Sequence, residues 1–374
     1  MAQKPQASEK VPPILFPKVE QEEFFLQAIE AFDDGDTNRM MSLMDHAVSM
    51  DVTNHFAYIK RAQLYDLIGK NAQAASDYTR ALGTVGVDKK YADVFMMRGC
   101  AFFKLGKLRA AAGDWATFIE LKPDKEADHW QICVALTLLG KFTDAQRQFE
   151  WHWTANAKDM EVAFWHFLCV ARTDGIDAAR EKLIEVEQEE RVPMRALYEL
   201  FQGKGSAADV WLAVEEDDPN DNERNRREFF ANYYLGLYHE AEGKLEEAIE
   251  LVSAALDIAK ANEGYIGDSP GGQLRGGDIA RVHLQLLQRR LADQRAWEAA
   301  DKNRDSLGTK IAYVAGGITL AALIGFGITA QRKRRPPAEP VASEPEPEPA
   351  PPSKPKKTRS RKSRRKEPAG KSST

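Results

Sequence analysis

Six glycines recur along this chain at positions 35, 69, 106, 140, 175 and 243, with spacings of 34, 37, 34, 35 and 68 residues. A period of that length belongs to a repeating supersecondary unit, which cannot bury its apolar face alone. Between the glycines, apolar residues follow a helical period, so each unit reads as two helices joined at a glycine turn. Glycine enters the left-handed conformation that ends a helix without a Cβ clash. The last gap is twice 34 and holds one irregular hairpin, RALYELFQGKGSAADVWLAV, turning at Gly203–Ser206. Seven hairpins therefore stack in sequence, each covering its neighbour.

The clearest hairpin is ANYYLGLYHEAEGKLEEAIELVSAA, Ala231–Ala255. Small residues stand where its helices must touch, at Gly236, Ala248 and Ala255, with Tyr234 and Leu237 between them. The same frame recurs at Ala62, Tyr65, Ala74, Tyr78 and Ala81, then at Gly99, Phe102, Ala111 and Pro123. It recurs again at Cys133, Ala145 and Phe149, and in weaker form at Ala47 and Ala179. This pattern resembles the tetratricopeptide repeat, a helix–turn–helix unit of 34 residues. EVAFWHFLCVAR (161–172) and NYYLGLYHEAEGKLEEA (232–248) further resemble the NlpI-like branch of that superfamily. That branch includes a bacterial lipoprotein that scaffolds cell-wall hydrolases, and similar sequences occur in chloroplast repeat proteins. The resemblance spans roughly residues 90–305. This chain departs from the branch by lacking the lipoprotein cysteine and by adding a C-terminal apolar segment.

The resemblance implies an all-α solenoid whose first helices line a concave groove for a peptide or a partner's helix. Carried over by frame, the groove positions are Ile59, Lys60, Gln63, Met96, Cys100, Lys104, Trp130, Gln131 and Val134. Chaperone-binding relatives hold an acidic tail with Lys and Asn at fixed groove positions. Here Ile59, Met96 and Trp130 occupy the first of those sites, which points to an apolar anchor pocket instead.

Domain limits follow from composition. Residues 1–20 read as a mobile arm, 21–262 as the solenoid, and 263–310 as a glycine-rich loop and a charged capping helix. In that helix Ile279, Val282, Leu286 and Leu287 form the apolar stripe. Residues 311–330 carry no charge and, as a helix, extend about 30 Å, the thickness of a hydrocarbon core. They read as a single transmembrane helix. Gly317, Ala321, Gly325 and Thr329 make a small-residue stripe along it, suited to a homodimer. Residues 331–374 read as a disordered tail, first Pro/Glu-rich and then basic through Lys354, Lys356, Lys357, Arg359, Arg361, Lys362, Arg364, Arg365 and Lys366.

Charge divides sharply between these parts. Residues 1–330 carry 38 basic and 52 acidic side chains, net −14, whereas 331–374 carry 14 and 5, net +9. The basic tail suits anionic lipid head groups. It has no aromatic residues to stack on bases, which argues against nucleic acid. Lys and Arg flank the apolar segment equally, four on each side, so the absence of a cleavable signal is what favours a cytosolic solenoid.

Enzyme chemistry finds no constellation here: HExxH and GxSxG are absent, and so is any CxxC pair. No metal or cofactor is implied. Cys100, Cys133 and Cys169 read as buried thiols, and His152 and His166 as packing residues. The sequence thus describes a membrane-anchored adaptor that recruits proteins through a groove. A targeting receptor at an organelle surface is the alternative, and a hydrolase a remote third.

Overall fold

The computed structural model describes residues 19–186, 190–262 and 274–316, with side chains described from residue 21 to residue 302. Seven helical hairpins follow one another among these residues. They are α1 and α2 (Val19–Asp33, Thr37–Met50), α3 and α4 (His55–Leu67, Asn71–Val85), and α5 and α6 (Ala92–Lys104, Leu108–Leu121). Then come α7 and α8 (Trp130–Leu138, Phe142–Ala155), α9 and α10 (Met160–Asp174, Ile176–Glu181), and α11 and α12 (Met194–Phe201, Ala207–Val214). The last pair, α13 and α14 (Asp221–Ala241, Leu245–Ala261), precedes a long helix, α15 (Gly276–Gly316).

The third hairpin shows how the sequence makes the turn. Gly106 has φ +72°. Its N–H donates to the carbonyl of Phe103 at 2.8 Å, and the N–H of Lys107 reaches back to Phe102 at 2.9 Å. These two bonds satisfy carbonyls that the end of α5 would otherwise leave bare. Lys107 then caps α6, so the chain reverses in three residues. Lys70, Lys141 and Lys244 repeat the long back-bond to Tyr65, Leu136 and His239.

Small residues bring each pair of helices together. A Cβ on Gly99 would lie 2.4 Å from Trp115 Nε1, and one on Gly236 would lie 2.7 Å from Val252 Cγ2. Polar pairs then fix the register. Arg61 grips Asp77 through two bonds of 2.6 and 2.9 Å, and Arg98 grips Asp114 at 2.7 and 2.6 Å. Both pairs join a first helix to its own second helix across the same 16-residue separation.

The array is irregular in its second half. The helices α10, α11 and α12 have only six, eight and eight residues. With so little mass between them, α9 packs directly on α13: Phe164 lies 4.8 Å from Tyr234, ring to ring. Phe201 of α11 wedges beside both, 4.5 Å from Phe164 and 5.2 Å from Tyr238.

α15 packs chiefly on α14 of the last hairpin, and it also reaches earlier hairpins. A cap buries one stripe against the last repeat. This helix buries Ile279, Ala280, Val282, His283, Leu284 and Leu287, an arc that covers two sides. One side lies on α14, where a Cβ on Gly277 would meet Ala259 at 3.0 Å. The other crosses the first helices of earlier hairpins. The His283 ring stands 5.8 Å from Trp165 of α9, and Gln285 approaches Gly106 at the end of α5. The lock is Glu240 of α13, only 3% exposed, which accepts from His283 Nε2 at 2.7 Å and from Arg290 Nη1. Burial alone would raise the Glu240 carboxyl, but His283 and Arg290 hold it down to about 2.

No helix among the described residues is long and apolar enough to cross a membrane. The backbone of α15 runs six residues into the expected span before residue 317, so most of 311–330 lies outside the described residues. The packing stripe Gly317, Ala321, Gly325 and Thr329, the basic tail, and nearly all of the N-terminal arm also lie outside them.

Candidate functional site: an aromatic cleft on the first-helix face

The face built by the first helices is where a groove was expected, and α15 lies across part of it. Of the nine positions proposed from the frame, Ile59, Lys60, Cys100, Gln131 and Val134 are buried, and Gln63, Met96, Lys104 and Trp130 are half-buried. Most are engaged locally. The Lys60 ammonium sits 4.7 Å from the Phe25 ring, and burial pushes its pKa down to about 8. Gln63 donates to the Met97 sulfur at 3.4 Å, and Lys104 pairs with Asp66 at 2.9 Å. The Met96 carbonyl accepts from the Trp115 indole at 3.2 Å. The Cys100 thiol is pushed up to about 12 by burial, which removes its nucleophilic form at neutral pH. Trp130 and Val134 come together at an opening among the described residues.

That opening is a cleft of about 300 Å³ between α7, α9, α13 and the start of α15. Trp130 and Val134 of α7 form one wall. Val162 and Trp165 of α9 form the floor, and Phe229, Phe230 and Tyr233 of α13 the opposite wall. Leu274, Gly276 and Ile279 close the end where α15 begins. The run FFANYY, 229–234, puts four aromatic rings on one stretch of α13; Phe229 stacks on Tyr233 and Phe230 on Tyr234. The density of rings in that run was the sequence signal for the cleft. The frame alone did not find it, because it carries over positions of α3, α5 and α7 only.

Polar groups gather at one rim. Asp159 caps α9, its Oδ1 accepting from the N–H of Glu161 at 3.1 Å. Glu161, half-buried, accepts from Arg191 Nη1 at 2.7 Å and from the Tyr234 hydroxyl. Burial and the adjacent Asp159 raise the Glu161 carboxyl above its ordinary value, against the pull of Arg191 and Tyr234. The Arg191 guanidinium also lies over the Phe230 ring at 5.7 Å. Among the described lining residues, two carboxylates and one guanidinium leave the rim with one excess negative charge. Among the described lining residues no Ser, Thr, Cys, His or Lys is available as a nucleophile or base. Among the described residues no three His, Cys, Asp or Glu side chains converge as a metal site would need.

His152 and His166 are buried and pack between helices. His152 Nδ1 lies 2.6 Å from the Ala127 carbonyl, and His166 Nε2 lies 3.4 Å from Glu150. Cys133 and Cys169 are free and buried.

The frame is tetratricopeptide-like. Paired helices, glycine turns and small-residue contacts at a period near 34 residues carry that statement. No protein-family profile matches the chain. It is 29% identical to a stretch of the tetratricopeptide repeat and J domain-containing co-chaperone DNJ1 of Fusarium oxysporum f. sp. lycopersici, covering 27% of this chain and 22% of that protein. It is 32% identical to part of human serine/threonine-protein phosphatase 5, covering 28% of this chain and 21% of the phosphatase. The chain thus spans about a fifth of the length of these curated relatives. A solved tetratricopeptide repeat protein from Parabacteroides merdae ATCC 43184 superposes with a TM-score of 0.46 at 16% identity, over 72% of this chain and 99% of the other. YrrB, described as a TPR protein with an unusual peptide-binding site, gives 0.33 at 18% identity, over 58% and 92%.

Proposed function

We propose that this chain is a membrane-anchored adaptor whose first-helix face recruits a partner protein at the aromatic cleft. The observation that carries this reading is the cleft itself. It keeps Trp130 and Phe230 half-exposed on a face that is otherwise filled by α15 and by local pairing. Large aromatic anchors in a pocket with a polar rim are the usual energetic centre of a protein interface. The likeness of 161–172 and 232–248 to the NlpI-like branch supports a scaffold that holds an assembly together. The uncharged segment 311–330 anchors the solenoid as a single-pass helix, with the solenoid on the cytosolic side. Gly317, Ala321, Gly325 and Thr329 pair two anchors in the bilayer, which doubles the number of clefts at one place.

The test is affinity purification of the full chain from detergent-solubilised membranes. A stable partner of fixed stoichiometry, lost when Phe230 is replaced by Asp, is the expected result. Many weak clients with no fixed ratio point to a targeting receptor. No partner, or one indifferent to Phe230, overturns the proposal. Alkaline extraction tests the anchor: deletion of 311–330 releases the protein from the membrane pellet.

A further inference from the structure

We infer that the cleft accepts a lysine or arginine side chain, presented by a basic segment of the partner protein. This rests on the adaptor reading above and specifies its ligand. Three observations converge. The first is the rim charge: among the described lining residues Asp159 and Glu161 face one cation, Arg191, so one carboxylate there is uncompensated. The second is the state of the acceptors. Glu161 is already held by Arg191 and Tyr234, whereas Asp159 Oδ2 has only His152 Nε2 near it, at 3.8 Å, too far for a hydrogen bond. An acceptor therefore remains open at the mouth. The third is an internal precedent. Arg191 lies on the Phe230 ring while bonded to Glu161, so the rim already holds one guanidinium between an aromatic face and a carboxylate.

The remaining walls repeat that chemistry for a guest. Trp130 offers half-exposed ring surface to the aliphatic stem and the cationic head, backed by the buried Trp165 and Phe229, and Asp159 receives the head's N–H groups. A carboxylate guest would meet the excess negative charge of the rim, with only the indole N–H groups of Trp130 and Trp165 to set against it. A purely apolar guest would leave Asp159 Oδ2 facing it without a hydrogen bond. The charge of the solenoid points the same way, since residues 1–330 are net −14 and draw basic segments from a distance.

The experiment is saturation-transfer NMR on the full chain in nanodiscs, with three probes: N-acetyl-arginine N-methylamide, its neutral citrulline counterpart, and N-acetyl-glutamate N-methylamide. The arginine probe should saturate, the citrulline probe should bind about tenfold more weakly, and the glutamate probe should not bind. Asp159→Asn keeps the α9 cap and removes the charge. It should weaken the arginine probe about fivefold or more and leave the citrulline probe unchanged, at an unaltered melting temperature. Glu161→Gln provides a second variant if the first is unstable, with the same direction expected. Equal binding of arginine and citrulline, preference for glutamate, no binding of any probe, or indifference to both variants overturns the inference. Loss of probe binding alongside an intact stoichiometric partner removes only the cation assignment. Probe binding with no co-purifying partner removes the adaptor reading and leaves the site.

Discussion

Replacing Glu240 by Ala tests the link between the solenoid and α15. The carboxylate is 3% exposed and accepts from His283 at 2.7 Å and from Arg290. Removing one partner of a buried ionic group typically costs about 3–5 kcal/mol, because the charge left behind is poorly solvated. The Arg290 side chain is 24% exposed, so water reaches it and the cost falls to the lower end, about 3 kcal/mol. His283, 1% exposed, has no such relief and keeps only the Tyr233 hydroxyl, 3.3 Å from its other nitrogen. Chemical denaturation measures the total, and hydrogen exchange locates it. Amides of 279–290 in α15 should lose protection, while α3 through α6 stay protected. A double cycle with Arg290→Ala should show a coupling of about 1–3 kcal/mol, as expected for groups in one network. Unchanged α15 protection, or additive effects of the two substitutions, would refute the idea that Glu240 holds the helix in place.

Acid should act on the same lock. Glu240 falls from 4.5 to about 2 on folding, so its contribution is complete above about pH 4.5 and is lost as pH drops through about 2. Thermal melts should show about 3 kcal/mol less stability at the acid end in the wild type and a smaller loss in Glu240→Ala. Gly99→Ala should cost about 1–3 kcal/mol in a urea melt, since its Cβ would lie 2.4 Å from the fully buried Trp115 ring. Gly113→Ala, on the exposed side of α6 with nothing within 4 Å, should instead gain up to about 1 kcal/mol. Ala321→Leu with Gly325→Leu should abolish cross-linked dimers in membranes without preventing insertion; an unchanged dimer yield would exclude the anchor stripe as an interface.

The repeat frame was legible because close packing leaves a local record. Gly99, Gly236 and the turn glycines stand where no side chain fits or where φ is positive, and that need recurs at a fixed spacing. The path of α15 left no such record. Glu240 and His283 are 43 residues apart, a separation that follows no period of the array. In the sequence His283 stands beside an apolar stripe that a simple cap would also show. The cleft was half legible. The frame pointed to Trp130 and Val134, but Glu161, Arg191 and Phe230 meet only because the short helices α10 to α12 let α9 pack on α13. Spacing within a repeat carries no information about a contact that arises from a repeat's shortening.

The adaptor role rests on the cleft, so the most direct measurement places a photo-cross-linking amino acid at Phe230 in the full chain within native membranes. A control carries it at Leu212, 72% exposed on the short helix α12. Illumination should yield one discrete adduct from position 230 whose yield falls with Asp159→Asn, and none from position 212. Equal adducts from both positions, or an adduct from 212 alone, would contradict a partner seated in the cleft.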